Sequence, residues 1–165
     1  MSDIALIWGD SEADIALDGA DLLIDEGLET AVTLSLFCDR RADASDALPE
    51  SGASRRGWWG DEFADVEGHR TGSKLWLLWR EKRSAELLEK ARQYCDEALA
   101  WFIEDGIAAT INIATSFASF ADLFGDTEKA NEYAIVIEVE MIKPDGTREA
   151  FRYAYLWAAQ LAKRI

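Results

Sequence analysis

Three residues near the C-terminal end, Pro144-Asp145-Gly146, constrain this chain more than any others. They separate two runs, Tyr133 to Lys143 and Thr147 to Tyr155, in which apolar and polar residues largely alternate. A period of two marks a strand with one buried face. Gly at the third loop position suits the left-handed bulge that closes a three-residue hairpin. Such a loop pairs Lys143 with Thr147, and so opposes Glu138 to Arg152, Val139 to Phe151 and Ile137 to Tyr153. Opposite charges then meet on one face and apolar groups on the other. A two-residue Asp-Gly loop would set Glu140 against Phe151, a worse match.

Upstream, Ile107, Ala109, Ile111, Ile113, Thr115 and Phe117 alternate with smaller or polar residues, which predicts a long strand with one apolar face. Ser84 to Asp105 reads as a helix. Ser84 is its N-cap, Leu88, Ala91, Cys95, Ala98 or Leu99, and Phe102 form its core stripe, and Gly106 is its stop. Ala118 to Asn131 is a connection with a helical turn around Phe120 to Phe124, and Leu156 to Ile165 is expected to be a short closing helix. In the first half, Ile4 to Trp8, Ala13 to Leu17 and Leu22 to Ile24 read as small strands in a meander. Leu28 to Arg41 reads as a buried first helix, with a strand as the alternative because Thr30, Val32 and Thr33 weaken helix propensity. Ala42 to Ser54 is expected to be a mobile loop, Asp65 to Gly72 a turn, and Lys74 to Lys82 a short buried helix. The whole is an α+β fold in one domain of 165 residues: a small mixed or antiparallel sheet with a C-terminal hairpin, packed against two to four helices. Its parts are N-terminal strands over 1–26, a helical part over 27–105, and sheet, hairpin and closing helix over 106–165.

Between the loop and the short helix lies Arg55-Arg56-Gly57-Trp58-Trp59-Gly60-Asp61-Glu62-Phe63. The two glycines permit backbone angles closed to other residues, so the segment reads as a specified turn. Two adjacent indoles do not fit one face of a regular element. One is expected to bury as an anchor, while the other packs under a neighbour or awaits a partner.

Composition narrows the partners. The formal net charge is −15, from 32 acidic and 17 basic residues, which disfavours nucleic acid and anionic membranes. The two cysteines, Cys38 and Cys95, lack ligand-spaced companions, and His69 is the sole histidine, so neither a zinc site nor another cofactor is expected. Reduced thiols suit synthesis in the cytoplasm, and neither a secretion signal nor a membrane span is read. Glycosidase chemistry would need two carboxyls ~5 to 9.5 Å apart, and Asp61 or Glu62 with Asp65 or Glu67 could be nominated. In so acidic a chain such pairs arise by chance. His69 reads as an exposed loop residue, and the charge runs Arg55-Arg56 and Arg80 to Arg83 as solvated or internally paired.

Several blocks occur in a distinctive order: Gly27 to Val32, Ser35-Leu36-Phe37 with Asp39-Arg40-Arg41, Arg55 to Asp61, Gly72 to Leu78, Arg80-Glu81-Lys82, Glu97 to Trp101, Glu104-Asp105-Gly106 and Pro144-Asp145-Gly146. In this the chain resembles the tail proteins of Mu-like bacteriophages that correspond to the baseplate wedge protein, or sheath initiator, of contractile tails. The Arg-Arg-Gly-Trp-Trp-Gly-Asp string is the most specific part of the match. The resemblance implies a non-catalytic structural protein of the virion tail baseplate, assembled in the host cytoplasm, whose partners are the tail sheath and other baseplate proteins. It implies that the sheath starts by β-strand completion, for which the candidate edges are Tyr133 to Ile142 and Ile107 to Phe117. The candidate interface or structural loop is Arg55, Arg56, Gly57, Trp58, Trp59, Gly60 and Asp61. Two other readings remain open: a lysozyme-like tail enzyme, and a non-phage adaptor that anchors through the Trp-Trp loop.

Overall fold

The computed structural model describes residues 3–8, 13–25, 27–64, 68–129 and 131–165. Asp65 and Glu67, nominated as carboxylates, lie outside the described residues.

The chain opens with six very short strands, β1 (Asp3–Ile4), β2 (Leu6–Trp8), β3 (Ala13–Ile15), β4 (Leu17–Asp18), β5 (Asp21–Leu22) and β6 (Ile24–Asp25). They pair antiparallel as β1–β6, β2–β3 and β4–β5. This is tighter than a simple meander, because each of the three chain segments pairs with both of the others. Then come α1 (Glu29–Phe37), two 3-10 helices (Trp59–Phe63 and Leu75–Arg80) and α2 (Ala85–Glu104). The last third holds β7 (Thr110–Ser119), α3 (Phe120–Phe124), a 3-10 turn (Thr127–Lys129), β8 (Tyr133–Ile142), β9 (Arg148–Leu156) and β10 (Leu161–Arg164). Strands β7 to β10 form one antiparallel sheet in the order β10-β9-β8-β7.

The hairpin has the register that its loop dictates: Glu138 faces Arg152, Val139 faces Phe151 and Ile137 faces Tyr153. Lys143 and Thr147 close it, with Lys143 N–H donating to Thr147 O at 2.8 Å and Gly146 N–H to Lys143 O at 2.9 Å. Arg152 pairs with Glu138 at 3.0 Å and Arg148 with Glu140 at 3.1 Å on the outer face. On the inner face Ile135, Ile137, Val139, Met141, Phe151, Tyr153 and Tyr155 are buried, joined by Ile111, Ile113 and Phe117 of β7. Helix α2 covers that face with Leu87, Ala91, Cys95, Ala98, Leu99 and Phe102. Leu87 takes the fully buried place, while Leu88 is only half-buried. Ser84 caps the helix, its side chain accepting from Leu87 N–H at 3.2 Å. At the far end of the outer face Ala134, Val136 and Ala154 are buried where α3 folds back, with Phe124 reaching Lys163 on β10.

Two boundaries differ from expectation. Helix α1 stops at Phe37 rather than Arg41, because the next residues run beside Ser73 instead. Ser73 N–H donates to Cys38 O and Arg40 N–H to Ser73 O, each at 2.9 Å. Gly72 makes this possible, since a β-carbon there would stand 2.2 Å from Cys38 O. The C-terminal segment is not a closing helix. Trp157 to Gln160 form a turn, and β10 then pairs antiparallel with β9. The turn is fastened by two indoles, Trp79 donating to Ala158 O at 3.0 Å and Trp157 donating to Glu81 O at 2.9 Å. Arg164 then holds β10 by its contact with Glu29 at 3.0 Å and its donations to Arg152 O and Ala150 O. These pairings outweigh the helix propensity of a run rich in Leu, Ala, Lys and Arg.

The short buried segment before α2 is a 3-10 helix with Leu75, Trp76, Leu77 and Leu78 buried. The preceding Lys74 is buried too, and its ammonium meets Asp43 at 2.6 Å and Asp46 at 3.0 Å. The loop over 42–54 is therefore fastened to the body, also by an Arg80–Glu50 contact. No described helix is long and apolar enough to cross a membrane.

Candidate docking surface around the Trp-Trp loop

The residues from Arg55 to Asp61 divide into a frame and a display. Arg55 N–H groups donate to the carbonyls of Asp43 and Ala44, and its own carbonyl accepts from Ala42 N–H at 2.9 Å. Arg56 has a φ of 52° and lays its guanidinium over the Trp76 ring, 4.5 Å from the centroid. The same guanidinium meets Asp39 at 2.8 Å and Gln160 at 2.9 Å. Both arginines are thus paired within the molecule rather than offered to a partner. Gly57 has a φ of 101°, and a β-carbon there would stand 2.6 Å from Arg41 Cβ. Gly60 lies under the Trp58 indole, where a β-carbon would come within 2.3 Å of the ring. Asp61 Oδ1 accepts from Thr71 N–H at 3.0 Å, which joins the loop to the segment leading into Ser73. Its Oδ2 is buried without a partner among the described residues.

On this frame stand three aromatic side chains. Trp58 is 52% exposed, Trp59 73% and Phe63 76%. Trp59 links the other two, with ring centroids 5.7 Å from Trp58 and 6.2 Å from Phe63. Neither indole of the pair is an anchor, contrary to expectation. The local anchor is Trp76, 3% exposed, whose Nε1–H donates to Arg40 O at 2.8 Å. The reason is geometric: Trp59 to Phe63 form a single 3-10 stretch with no buried residue, lying on the surface. The indoles border an open cleft shared with Arg41, Glu62, His69 and Arg70.

Of the nominated groups, Asp61 holds Thr71 N–H through Oδ1 alone, and Glu62 and His69 are exposed. No group of three or more His, Cys, Asp or Glu suited to a metal occurs among the described residues. The thiols lie elsewhere: burial, then the charge of Asp39, pushes Cys38 up, and burial does the same to Cys95.

A second feature escapes a reading of the Trp-Trp loop alone. The two ends of the sheet differ. Strand β8, one of the candidate edges, is interior, paired with β7 on one side and β9 on the other. The other candidate, observed as β7, is among the described residues an edge of ten residues with a strand on one side only. Strand β10, the opposite edge, is four residues long.

A family model described as phage protein GP46 matches residues 28–148, which include the loop, α2, β7 and β8. The chain belongs to this GP46 phage protein family. Over 113 residues, 68% of this chain and 76% of the relative, it is 50% identical to baseplate protein gp46 of Escherichia phage Mu. Over 158 residues, 96% of this chain and 99% of the relative, it is 34% identical to the Mu-like prophage FluMu protein gp46 of Haemophilus influenzae. The resemblance to Mu-like tail proteins is borne out at the level of the family. For a GP46 protein, the loop from Arg55 to Asp61 lies within the matched stretch, while Gln160, which Arg56 meets, lies beyond it.

Proposed function

We propose that this GP46 protein is a non-catalytic structural component of a contractile phage or prophage tail baseplate, acting as one unit over 1–165. In this role it starts the sheath by accepting a strand on β7. Membership of the family, with a Mu baseplate protein as a relative, supports the baseplate part. The β7 edge carries the strand-completion part. It offers ten residues of backbone on a sheet already fixed by α2, and in a free monomer such an edge invites pairing. The exposed Trp58, Trp59 and Phe63 serve as a second contact, toward another baseplate protein, since aromatic side chains on a rigid frame are good interface anchors. The protein would be assembled in the host cytoplasm and end in the virion.

The test is binding to the purified cognate sheath protein, with and without its terminal strand-donating segments. Binding lost with those segments supports strand completion. Along β7 successive N–H groups point to opposite sides, so Ala114→Pro and Thr115→Pro are expected to split. The one that faces β8 lowers stability, and the other blocks sheath binding in a folded protein. Equal sheath binding by both folded variants would rule out β7 as the acceptor.

A further inference from the structure

We propose that one flank of α2 reads the side chains of the strand that β7 accepts, and that Ile103 on this flank is a specificity residue. The donor is then an extended segment of the tail sheath protein with apolar residues at every second position. This rests on the reading of β7 as the acceptor edge, and adds what the donor must carry.

The inner face of the sheet is covered unevenly. On β8 the inward residues Ile135, Ile137, Val139 and Met141 are at most 1% exposed. On β7 the residues of the same face, Ile111, Ile113, Thr115 and Phe117, are only half-buried. Yet of the sheet strands it is β7 that α2 packs against most, and Thr115 Oγ1 donates to Leu88 O at 3.0 Å. The surface still open therefore lies on the side away from β8, where β7 has no neighbour among the described residues.

Helix α2 continues over that side. One of its flanks, with Tyr94 and Trp101, faces the rest of the body. Trp101 Nε1–H donates to Ser35 Oγ of α1 at 3.1 Å, and Tyr94 packs on Trp76 and Leu77. Helix α1 in turn sits toward β9 and β10, with Thr33 Oγ1 3.1 Å from the Tyr153 hydroxyl and Glu29 3.0 Å from Arg164. The other flank carries Leu88, Arg92, Asp96 and Ile103, which share one side of the helix by their spacing. Facing away from α1, it overhangs the open side of β7. Its ends are apolar, Leu88 half-buried and Ile103 48% exposed. Between them Arg92 is held by Glu89 at 2.7 Å and by Asp96.

A strand laid beside β7 turns alternate side chains under this flank. Apolar side chains there continue the row of Ile111 and Ile113 and cover Ile103. A charged one would leave water with Arg92 already paired, which is costly. On the outer face its neighbours are Asn112, Ala114 and Ser116, which are exposed and uncharged and set no such demand. The overhang also limits what can carry the strand. Paired strands stand about 4.8 Å apart, whereas packed helices need about 8–10 Å. A second copy paired antiparallel through its own β7 would bring its α2 into the space that this one fills. The donor is thus a strand without a helix over its inner face. Its backbone supplies affinity, and its apolar period of two supplies the choice of partner.

The experiment measures binding of the full chain to the cognate sheath protein. Three variants change the flank, Ile103→Lys, Ile103→Glu and Ile103→Leu, and Ser116→Lys serves as the outer-face control. Ile103 and Ser116 are exposed, so the thermal transition is expected to hold. Either charge at Ile103 should weaken binding about tenfold or more, while Ile103→Leu and Ser116→Lys stay within about twofold of wild type. In the sheath protein, serines placed at every second position of its strand-donating segment should abolish binding in one phase and spare it in the other. That arm leaves this chain untouched, so it decides even if an Ile103 variant unfolds. If both phases behave alike, or if the folded charged variants bind like wild type while the sheath segment is still required, the inference fails and β7 remains the acceptor. If wild type does not bind the sheath protein, both readings fail. If the charged variants abolish self-association instead, the occupant is a second copy and the inference is overturned.

Discussion

At the scale of single residues, the glycines of the Trp-Trp loop do different jobs and should respond differently to the same change. At Gly57 the backbone is left-handed and the clash is with Arg41 at its Cβ, close to the chain, so Gly57→Ala has no easy relief. A cost on the order of 2 kcal/mol is expected from that strain. At Gly60 the clash is with the outer edge of an exposed indole that can swing away. Gly60→Ala should therefore cost less in chemical denaturation while changing Trp fluorescence more. Lys74 makes a pH prediction. Burial pulls its ammonium down, but the hydrogen bonds to Asp43 and Asp46 outweigh that and hold it above the ordinary lysine value. The hydrogen bond from Lys74 in turn holds Asp43 below the usual carboxylate range. A raised lysine contributes stability fully below its unfolded value and loses it as pH rises through the folded one. A lowered carboxylate contributes above its unfolded value and loses it as pH falls through the folded one. Stability should thus fall off on both the acid and the far-alkaline flanks. In Lys74→Met the share of both losses due to this pair should vanish, at a cost of about 1 kcal/mol near neutrality, since the carboxylates left behind reach water. Denaturant midpoints across pH measure it. Burial also raises the Tyr153 phenol to about 12, and its hydroxyl lies 3.1 Å from Thr33 Oγ1.

Elements differ in how far local sequence determines them. The β8–β9 hairpin was readable because its turn and its charge pattern agree on one register, and a slip by one residue would bury Glu138 and Arg152. Helix α2 was readable from its cap and stripe. The C-terminal segment was not, because its strand state is imposed from a distance by Trp79, Glu81 and Glu29, which local propensity does not see. The same holds for the end of α1, set by a close approach of Gly72 to Cys38. The Trp-Trp loop was legible as a specified turn, but not which aromatic side chains are free. That depends on Trp76 filling the anchor position from outside the motif. A test of the distant control is Arg164→Ala, which removes the ion pair to Glu29 and two donations to β9 carbonyls. Amides of Leu161 to Arg164 should then exchange like a frayed terminus, while those of β8, paired on both sides, keep their protection. Undiminished protection in β10 would mean that strand pairing holds it without Arg164.

Across the whole molecule, aromatic surface is divided between holding the body together and facing outward. Trp76 and Trp157 are buried, and Trp101 stacks on Phe102 with its Nε1–H donating to Ser35. Trp157 ties the sheet layer to the first half of the chain by donating to Glu81 O, Trp101 joins α2 to α1, and Trp76 joins its 3-10 helix to the segment after α1. Trp58, Trp59 and Phe63 touch mainly one another and leave most of their area in water. A free protein gains little from them, so their removal should separate stability from assembly. Trp59→Ala with Phe63→Ala is expected to keep the folded state within about 0.5 kcal/mol of wild type. Trp76→Ala should cost about 3 to 5 kcal/mol, because it empties a buried site and also releases Arg40 O and the guanidinium of Arg56. In complementation of a tail particle lacking this protein, the surface double variant should then yield soluble protein but few complete tails. Trp76→Ala should yield little soluble protein at all. If the double variant restores complete tails at the wild-type level, the aromatic patch is not a contact, and the docking function retreats to the β7 edge. If instead it melts as low as Trp76→Ala, the patch belongs to the body, and its exposure is no guide to assembly.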